Sequence, residues 1–171
     1  TNAPSLGIEV LGMAYAYKTG DFLDSTIFVS YTVRSKKKAA ILFSAALMSD
    51  FVLGNIDDNI VGTFIDQNTI FTYNSDSIDD GPFGFGTNPP STGITILSGI
   101  QAIKPDGIDN NRDGCVDGVR DNQGICQPIN DSLNILESWK LSNSIYFLNT
   151  SHPEKGNPSN WLDYFNYMNG T

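Results

Sequence analysis

Apolar side chains recur at every second position through the early part of this chain and at helical spacing only near its end, which points to a mainly β fold. Ile8 and Val10, then Met13, Tyr15 and Tyr17, alternate with smaller residues, and the one-residue slip of phase at Gly12 predicts a β-bulge. Ile27, Val29, Tyr31 and Val33 alternate with Phe28, Ser30, Thr32 and Arg34 as in a half-buried strand. Lys36, Lys37 and Lys38 read as a solvated turn leading into a third strand from Ala40 to Met48. Further short apolar runs span Ile60 to Ile65, Thr69 to Tyr73, Gly93 to Ile100 and Ser138 to Leu148. Near the end, Ser159 or Asn160 can cap a helix whose Trp161, Tyr164, Phe165 and Met168 share one face, expected to point to the core, with Gly170 as its stop. The pattern predicts one module over residues 1–171, an antiparallel β-sandwich with long Asp/Gly-rich loops and one short C-terminal helix.

Charge and composition exclude two functional classes. Ten basic side chains face nineteen acidic ones, a formal net charge of −9, so nothing here can neutralise a run of phosphates and nucleic-acid binding is excluded. No apolar run approaches the length of about 18 residues that a membrane span needs, so no membrane insertion is expected. No basic-then-apolar leader follows Thr1, so a signal peptide is expected to have been removed or never to have belonged to this chain. Of the nineteen acids only Glu9, Glu137 and Glu154 are glutamates. Aspartate favours turns, caps and compact oxygen cages for hard cations, whereas glutamate favours helical surfaces.

The sharpest local pattern runs from Asp106 to Gly118. Counted from Asp109 it reads D-x-N-x-D-G-x-x-D, with Asp109, Asn111, Asp113 and Asp117 at positions 1, 3, 5 and 9. Gly114 stands at position 6, where the chain must turn sharply, and the Cys115 carbonyl at position 7 can face inward. Calcium takes about six to eight oxygens, and this spacing wraps them around one centre. Position 12 is Arg120 rather than glutamate, and no helix flanks the loop, so Asp106, Asp121 or water would complete the shell. The alternative is a loop held only by Asx-turns. Residues 104–130 lack apolar periodicity and are expected to form an insertion. Cys115 and Cys126, the only cysteines, lie inside it, and a local disulfide in an oxidising compartment is favoured over two buried thiols or a metal pair.

A second concentration of acid runs from Asp50 through Asp57, Asp58, Asp66 and Asp76 to Asp79 and Asp80. Mutual repulsion among them would be relieved by a divalent cation, although solvated loops and Asx-turns account for the spacing equally well. Catalysis finds little support: His152 stands beside Pro153 without a Gly-x-Ser-x-Gly elbow, and bonded cysteines leave no thiol nucleophile. Trp139, Trp161, Tyr164, Tyr167 and Phe85 could together form a sugar-stacking platform.

The Asp109 loop is similar to the calcium loops of thrombospondin type 3 repeats, which also set cysteines beside their aspartates; the likeness implies a site rather than a fold. A longer resemblance is carried by "GIEVLGMAYAY", "TIFVSYTV", "SDFVLGNIDDNIVGTFIDQNTIFTYNSDSIDDGPFGFGTNPPSTGITILSG", "KPDGIDNNRDGCVDG" and "YFNYMNG". These stretches resemble an uncharacterised module of very large secreted or surface proteins of Bacteroidetes and related bacteria, whose chains often end in a type IX secretion sorting domain. Phe51-Val52 departs from that pattern, in which an aspartate often precedes the Leu-Gly. The resemblance implies an extracellular, β-rich module whose partners are other modules of the same large protein or surface assembly. The sequence thus leads to two expectations: a calcium-stabilised structural or adhesive module at the cell surface, or a calcium-dependent carbohydrate-binding module attached to a larger secreted enzyme, with glycans as ligands.

Overall fold

The computed structural model describes residues 6–38, 45–102, 105–147 and 156–169. The fold is mainly β, its sheets are antiparallel, and the chain divides into two compact units, Thr1–Ala45 and Ala46–Thr171.

The first unit is a hairpin of β1 (Ile8–Ala16) and β2 (Ile27–Ser35), paired without interruption from Ile8↔Ser35 to Ala16↔Ile27. No bulge interrupts β1. Gly12 lies opposite Tyr31, and a Cβ there would come within 3.2 Å of the tyrosine ring, so the small residue makes room for an aromatic neighbour. The slip of phase arises because both faces carry apolar side chains. Val10, Val29, Tyr31 and Val33 share one face, while Leu11, Met13, Tyr15 and Phe28 share the other, where Tyr15 stacks on Phe28 at 5.3 Å. A 3-10 turn at Phe22–Ser25 closes the connection. There the Thr19 hydroxyl and the Leu23 N–H donate to Asp21, and the Thr19 and Gly20 N–H groups donate to Asp24, holding both carboxyls below the ordinary 3.8. Lys36 does not turn away from the hairpin. Its N–H donates to the Gly7 carbonyl at 2.7 Å and its ammonium pairs with Glu9 at 2.8 Å. The expected third strand lies largely on residues 39–44, outside the described residues, and its described end, 45–48, is not in a strand.

The second unit contains β3 (Asn59–Phe64), β4 (Thr69–Asn74), β5 (Ile78–Asp79), β6 (Gly86–Thr87), β7 (Thr92–Thr95), β8 (Gln101–Ala102), β9 (Gly118–Arg120), β10 (Cys126–Pro128), β11 (Glu137–Ser138) and a helix, α1 (Trp161–Asn169). Strands β3, β4 and β7 make a three-stranded sheet; β5 pairs with β6, β8 with β11 and β9 with β10. One face of the three-stranded sheet carries Phe64, Phe71 and Tyr73 as a row of stacked rings, with centroids 5.0 and 5.9 Å apart. Phe71 lies across Gly62, where any Cβ would fall inside its ring. The opposite face buries Thr72 and Asn74. The run from Gly93 to Ile100 supplies only the last three residues of β7, and among its described residues the run from Ser138 to Leu148 supplies only the end of β11. Beyond β11 the chain acts as a strap: the N–H groups of Trp139, Lys140 and Leu141 donate to the Ile100 carbonyl, the Asn110 carbonyl and the Asn68 side chain.

Among the described residues the buried apolar side chains are Leu53 and Cys115; the other buried ones are Thr72, Asn74, Asp79, Asn111 and Glu137. The helix departs from expectation in its orientation. Asn160 caps it, accepting the Leu162 and Asp163 N–H groups at 2.9 and 3.2 Å. Trp161, however, is 77% exposed, and Tyr167 makes the inward contacts, stacking on Phe147 and donating to the Gly156 carbonyl at 2.8 Å.

Asp79, only 3% exposed, holds the centre of this unit by accepting the Asn55 N–H at 3.0 Å and the Phe85 N–H at 2.8 Å. Gly54 packs directly on that carboxylate with φ +57°, so a side chain there meets both a left-handed backbone and the Asp79 oxygens. Gly54→Ala should destabilise the second unit by more than about 2 kcal/mol. Denaturant unfolding of the two proteins measures this, and equal midpoints would contradict the packing described.

Candidate metal centre

The Asp109 loop is built from aspartates that fold back on their own backbone. Asp109 accepts the Asp113 N–H at 3.2 Å and the Gly114 N–H at 2.8 Å, and Asn111 Oδ1 accepts the same Asp113 N–H at 3.0 Å. Asp113 accepts the Cys115 N–H at 2.9 Å and the Arg120 N–H at 2.6 Å. Asp117 reaches back to the N–H groups of Asp106 and Gly107 at 2.6 and 2.9 Å. Arg112, Gly114 and Asp117 all have positive φ (+54°, +87° and +52°), the left-handed region that tight turns use. The glycine at position 6 therefore serves the sharp turn expected of it. Four of the residues singled out by spacing, Asp109, Asn111, Asp113 and Cys115, are brought into one hydrogen-bonded coil; Asp117 closes its mouth.

Cys115 is buried and bonded to Cys126, closing the loop covalently. β9 and β10 form the small ladder beside it, with Cys126 opposite Arg120. In the turn between them Asp121 accepts the Ile125 N–H at 2.9 Å, the Gln127 amide at 2.7 Å and the Gln123 N–H at 2.9 Å. The Ile125 bond foremost, then the Gln127 bond, hold the Asp121 carboxyl below its ordinary 3.8.

Glu137, which sequence spacing did not single out, anchors the coil to the rest of the unit. It is 0% exposed, and its Oε1 accepts the Asn110 and Asn111 N–H groups at 2.6 and 3.2 Å. The Asn110 side-chain amide then donates to both oxygens of Asp106, at 3.3 and 3.2 Å, and reaches Glu137 Oε2 at 3.5 Å. The two arginines of the loop leave these acids alone. Arg112 donates to the Leu141 carbonyl at 2.7 Å, and Arg120 donates to the carbonyls of Asp113 and Gly124 at 2.7 and 2.8 Å. Asp106, Asp109, Asp113 and Asp117 belong to this loop, Asp121 to the turn after β9 and Glu137 to β11, and among the described residues none of them has a Lys or Arg side-chain nitrogen within 4.0 Å. Among the described residues, equally, no three Asp, Glu, His or Cys side chains converge as a closed ligand cage. Each oxygen that accepts one N–H keeps a second lone pair.

The middle aspartates are dispersed. Asp50, Asp57, Asp66, Asp76 and Asp80 are exposed and Asp58 is half-buried. Asp76 caps its own turn by accepting the Ile78 N–H at 2.7 Å, and Asn55, not Asp57, supplies the cap of the 3-10 turn at Ile56–Asp58. Asp79 is the buried member of the series, and it serves backbone amides. Of the rings expected to form a platform, Trp139, Trp161, Tyr164, Tyr167 and Phe85, Tyr167 alone stacks on another ring among the described residues. His152 lies outside the described residues. An open depression of about 360 Å³ beside β9 and β10 is lined by Val119, Asp121, Gln127, Asn134, Ile135 and Leu136, without an aromatic side chain. No helix among the described residues is long and apolar enough to cross a membrane.

Comparison with protein families, with curated proteins and with solved structures finds no match to this chain.

Because hydrogen bonds stabilise the charged form of Asp121, protonating it removes them: the stabilisation is present above the ordinary carboxyl value and lost as pH falls through the lowered one. Carboxyl carbon NMR should place the Asp121 midpoint below 3.8, and a midpoint at or above it would contradict the turn as described. The disulfide closes a short loop and is worth about 3 kcal/mol of loop-closure entropy. Alkylation without reductant should modify no cysteine, and reduction should expose 105–130 to protease while β3, β4 and β7 persist.

Proposed function

We propose that this chain is a calcium-stabilised structural or adhesive module of a bacterial cell-surface or secreted protein, with residues 104–130 as its metal insertion on a sandwich-like β scaffold. The observation that carries this reading is an acidic loop without cationic side-chain partners: among the described residues Asp106, Asp109, Asp113, Asp117, Asp121 and the fully buried Glu137 pair with no Lys or Arg side chain, and the guanidinium groups of Arg112 and Arg120 donate to backbone carbonyls. Like charges gathered without a counter-ion raise the free energy of the ordered loop, and a bound hard cation removes that cost. Asp109, Asn111, Asp113 and Asp117, with the Cys115 carbonyl, are the ligands proposed from spacing; Glu137 supports the loop by accepting the Asn110 and Asn111 N–H groups. The disulfide suits an oxidising compartment. Exposed apolar side chains on the β1–β2 hairpin suit a chain whose partners are neighbouring modules of the same large protein or surface assembly.

Extracellular modules bind calcium at about 10⁻⁴–10⁻³ M, so millimolar calcium stabilises the folded loop by about 1.4 kcal/mol at the tighter end of that range. That magnitude orders an insertion without making the whole fold metal-dependent. Calorimetry should record one calcium-binding event in the wild type, none in Asp113→Ala, and weaker binding in Glu137→Gln. Protease sensitivity between Lys104 and Arg120 should rise in a chelator. A wild-type protein that neither binds nor responds to millimolar calcium would end this reading.

A second reading, glycan binding, is favoured by the row of Phe64, Phe71 and Tyr73 on one sheet face, with Phe64 56% exposed. Phe64→Ala should then abolish signal on a glycan array, whereas a structural module gives no glycan signal at all.

A further inference from the structure

At the end of the β3–β4 ladder three buried polar atoms have no hydrogen-bond partner among the described residues: Asp58 Oδ1, Asn59 Oδ1 and Asn74 Nδ2. Asn59 and Asn74 are cross-strand partners, and the Asp58 carbonyl accepts the Ser75 N–H at 2.8 Å, so the three residues share one corner of the sheet. Asn74 is only 6% exposed. The orientation of both amides follows from their other ends. Asn59 Nδ2 donates to the Leu53 carbonyl at 2.9 Å, which leaves its oxygen unpaired, and Asn74 Oδ1 accepts the Asp76 N–H at 3.0 Å, which leaves its NH₂ unpaired. Flipping either amide would set a donor against a donor or an acceptor against an acceptor.

We infer that one internal water molecule is bound at this corner, donating to Asp58 Oδ1 and Asn59 Oδ1 and accepting from Asn74 Nδ2. The corner presents two acceptors and one donor, so its ligand must offer two hydrogens and a lone pair. Water does so. A calcium or sodium ion would suit the two oxygens but would face the positive end of the Asn74 N–H dipole, and an anion would be repelled by Asp58. Buried waters characteristically make about three hydrogen bonds to groups of this kind. The water would tie the 3-10 turn that leads into β3 to the last residue of β4, beside the Asp76 turn. It gives the middle aspartates a ligand that needs no metal, and it does not depend on calcium at the Asp109 loop.

A high-resolution crystal structure grown in millimolar calcium tests this. The expected result is a single peak with three contacts of about 2.7–3.1 Å and no anomalous signal. Contacts of about 2.3–2.6 Å with an anomalous signal would identify calcium and overturn the inference. So would an absent peak with the two asparagines bonded directly to each other. Asn74→Asp makes the corner all acceptors, which a water with two hydrogens cannot satisfy. Its melting temperature in chelator should fall by about 5 °C. An unchanged value would also overturn the inference, and should the variant not fold, the wild-type density decides alone.

Discussion

Two buried carboxylates organise the second unit. Asp79 holds the backbone amides of Asn55 and Phe85, and Glu137 holds those of Asn110 and Asn111. In each case a short strand supplies a charged acceptor to loop N–H groups that no ladder can reach. Charge-assisted hydrogen bonds of this kind are about twice as strong as neutral ones, and losing one leaves a buried charge or a buried amide without a partner. Ordinary domains join their loops by burying side chains from several elements in a common apolar core. Here the buried apolar side chains among the described residues are only Leu53 and a disulfide cysteine, so polar contacts carry more of that burden.

This arrangement explains the glycines and the strap. Gly54 must stay small because the Asp79 carboxylate occupies its side-chain volume, and Gly84 approaches the Asp79 and Asp80 carbonyls from the other side. The strap after β11 belongs to no strand because its amides have different partners: Ile100, Asn110 and Asn68 in turn. A single neighbouring strand would have made it a long ladder. The same strap links the metal-candidate loop to the three-stranded sheet, through the Lys140 bond to Asn110 and the contact of Thr63 with Ser144 at 2.9 Å. Order in the loop is therefore coupled to the sheet through a short chain of hydrogen bonds.

The loop itself shows two uses of the same residues. Asx-turns and metal cages both need side-chain oxygens two and four positions apart, with a glycine to reverse the chain. The hydrogen bonds of Asp109, Asn111 and Asp113 realise the first use. An ion would compete with these N–H groups for the same oxygens or take their second lone pairs.

The sequence by itself determined the class of structure and the turn chemistry. Alternation marked β1 and β2, short apolar runs marked β3 and β4, a Ser159 or Asn160 cap and helical spacing marked the helix, and two cysteines in one loop marked the disulfide. These features are local, and periodicity or spacing within a few residues suffices to state them. Only the tertiary structure decided which apolar pattern would be buried and which acid would matter. Trp161 and its neighbours form an amphipathic face by spacing, yet Tyr167 makes the inward contacts because its ring meets Phe147. Gly12 mimics a bulge because a facing tyrosine needs room, a fact that resides in β2. Glu137 carried no signal, being one glutamate at the edge of an apolar run, and its role depends on loop amides about 26 residues earlier in the chain. Long-range polar pairing leaves no period in a sequence, and here the long-range polar pairs hold the fold.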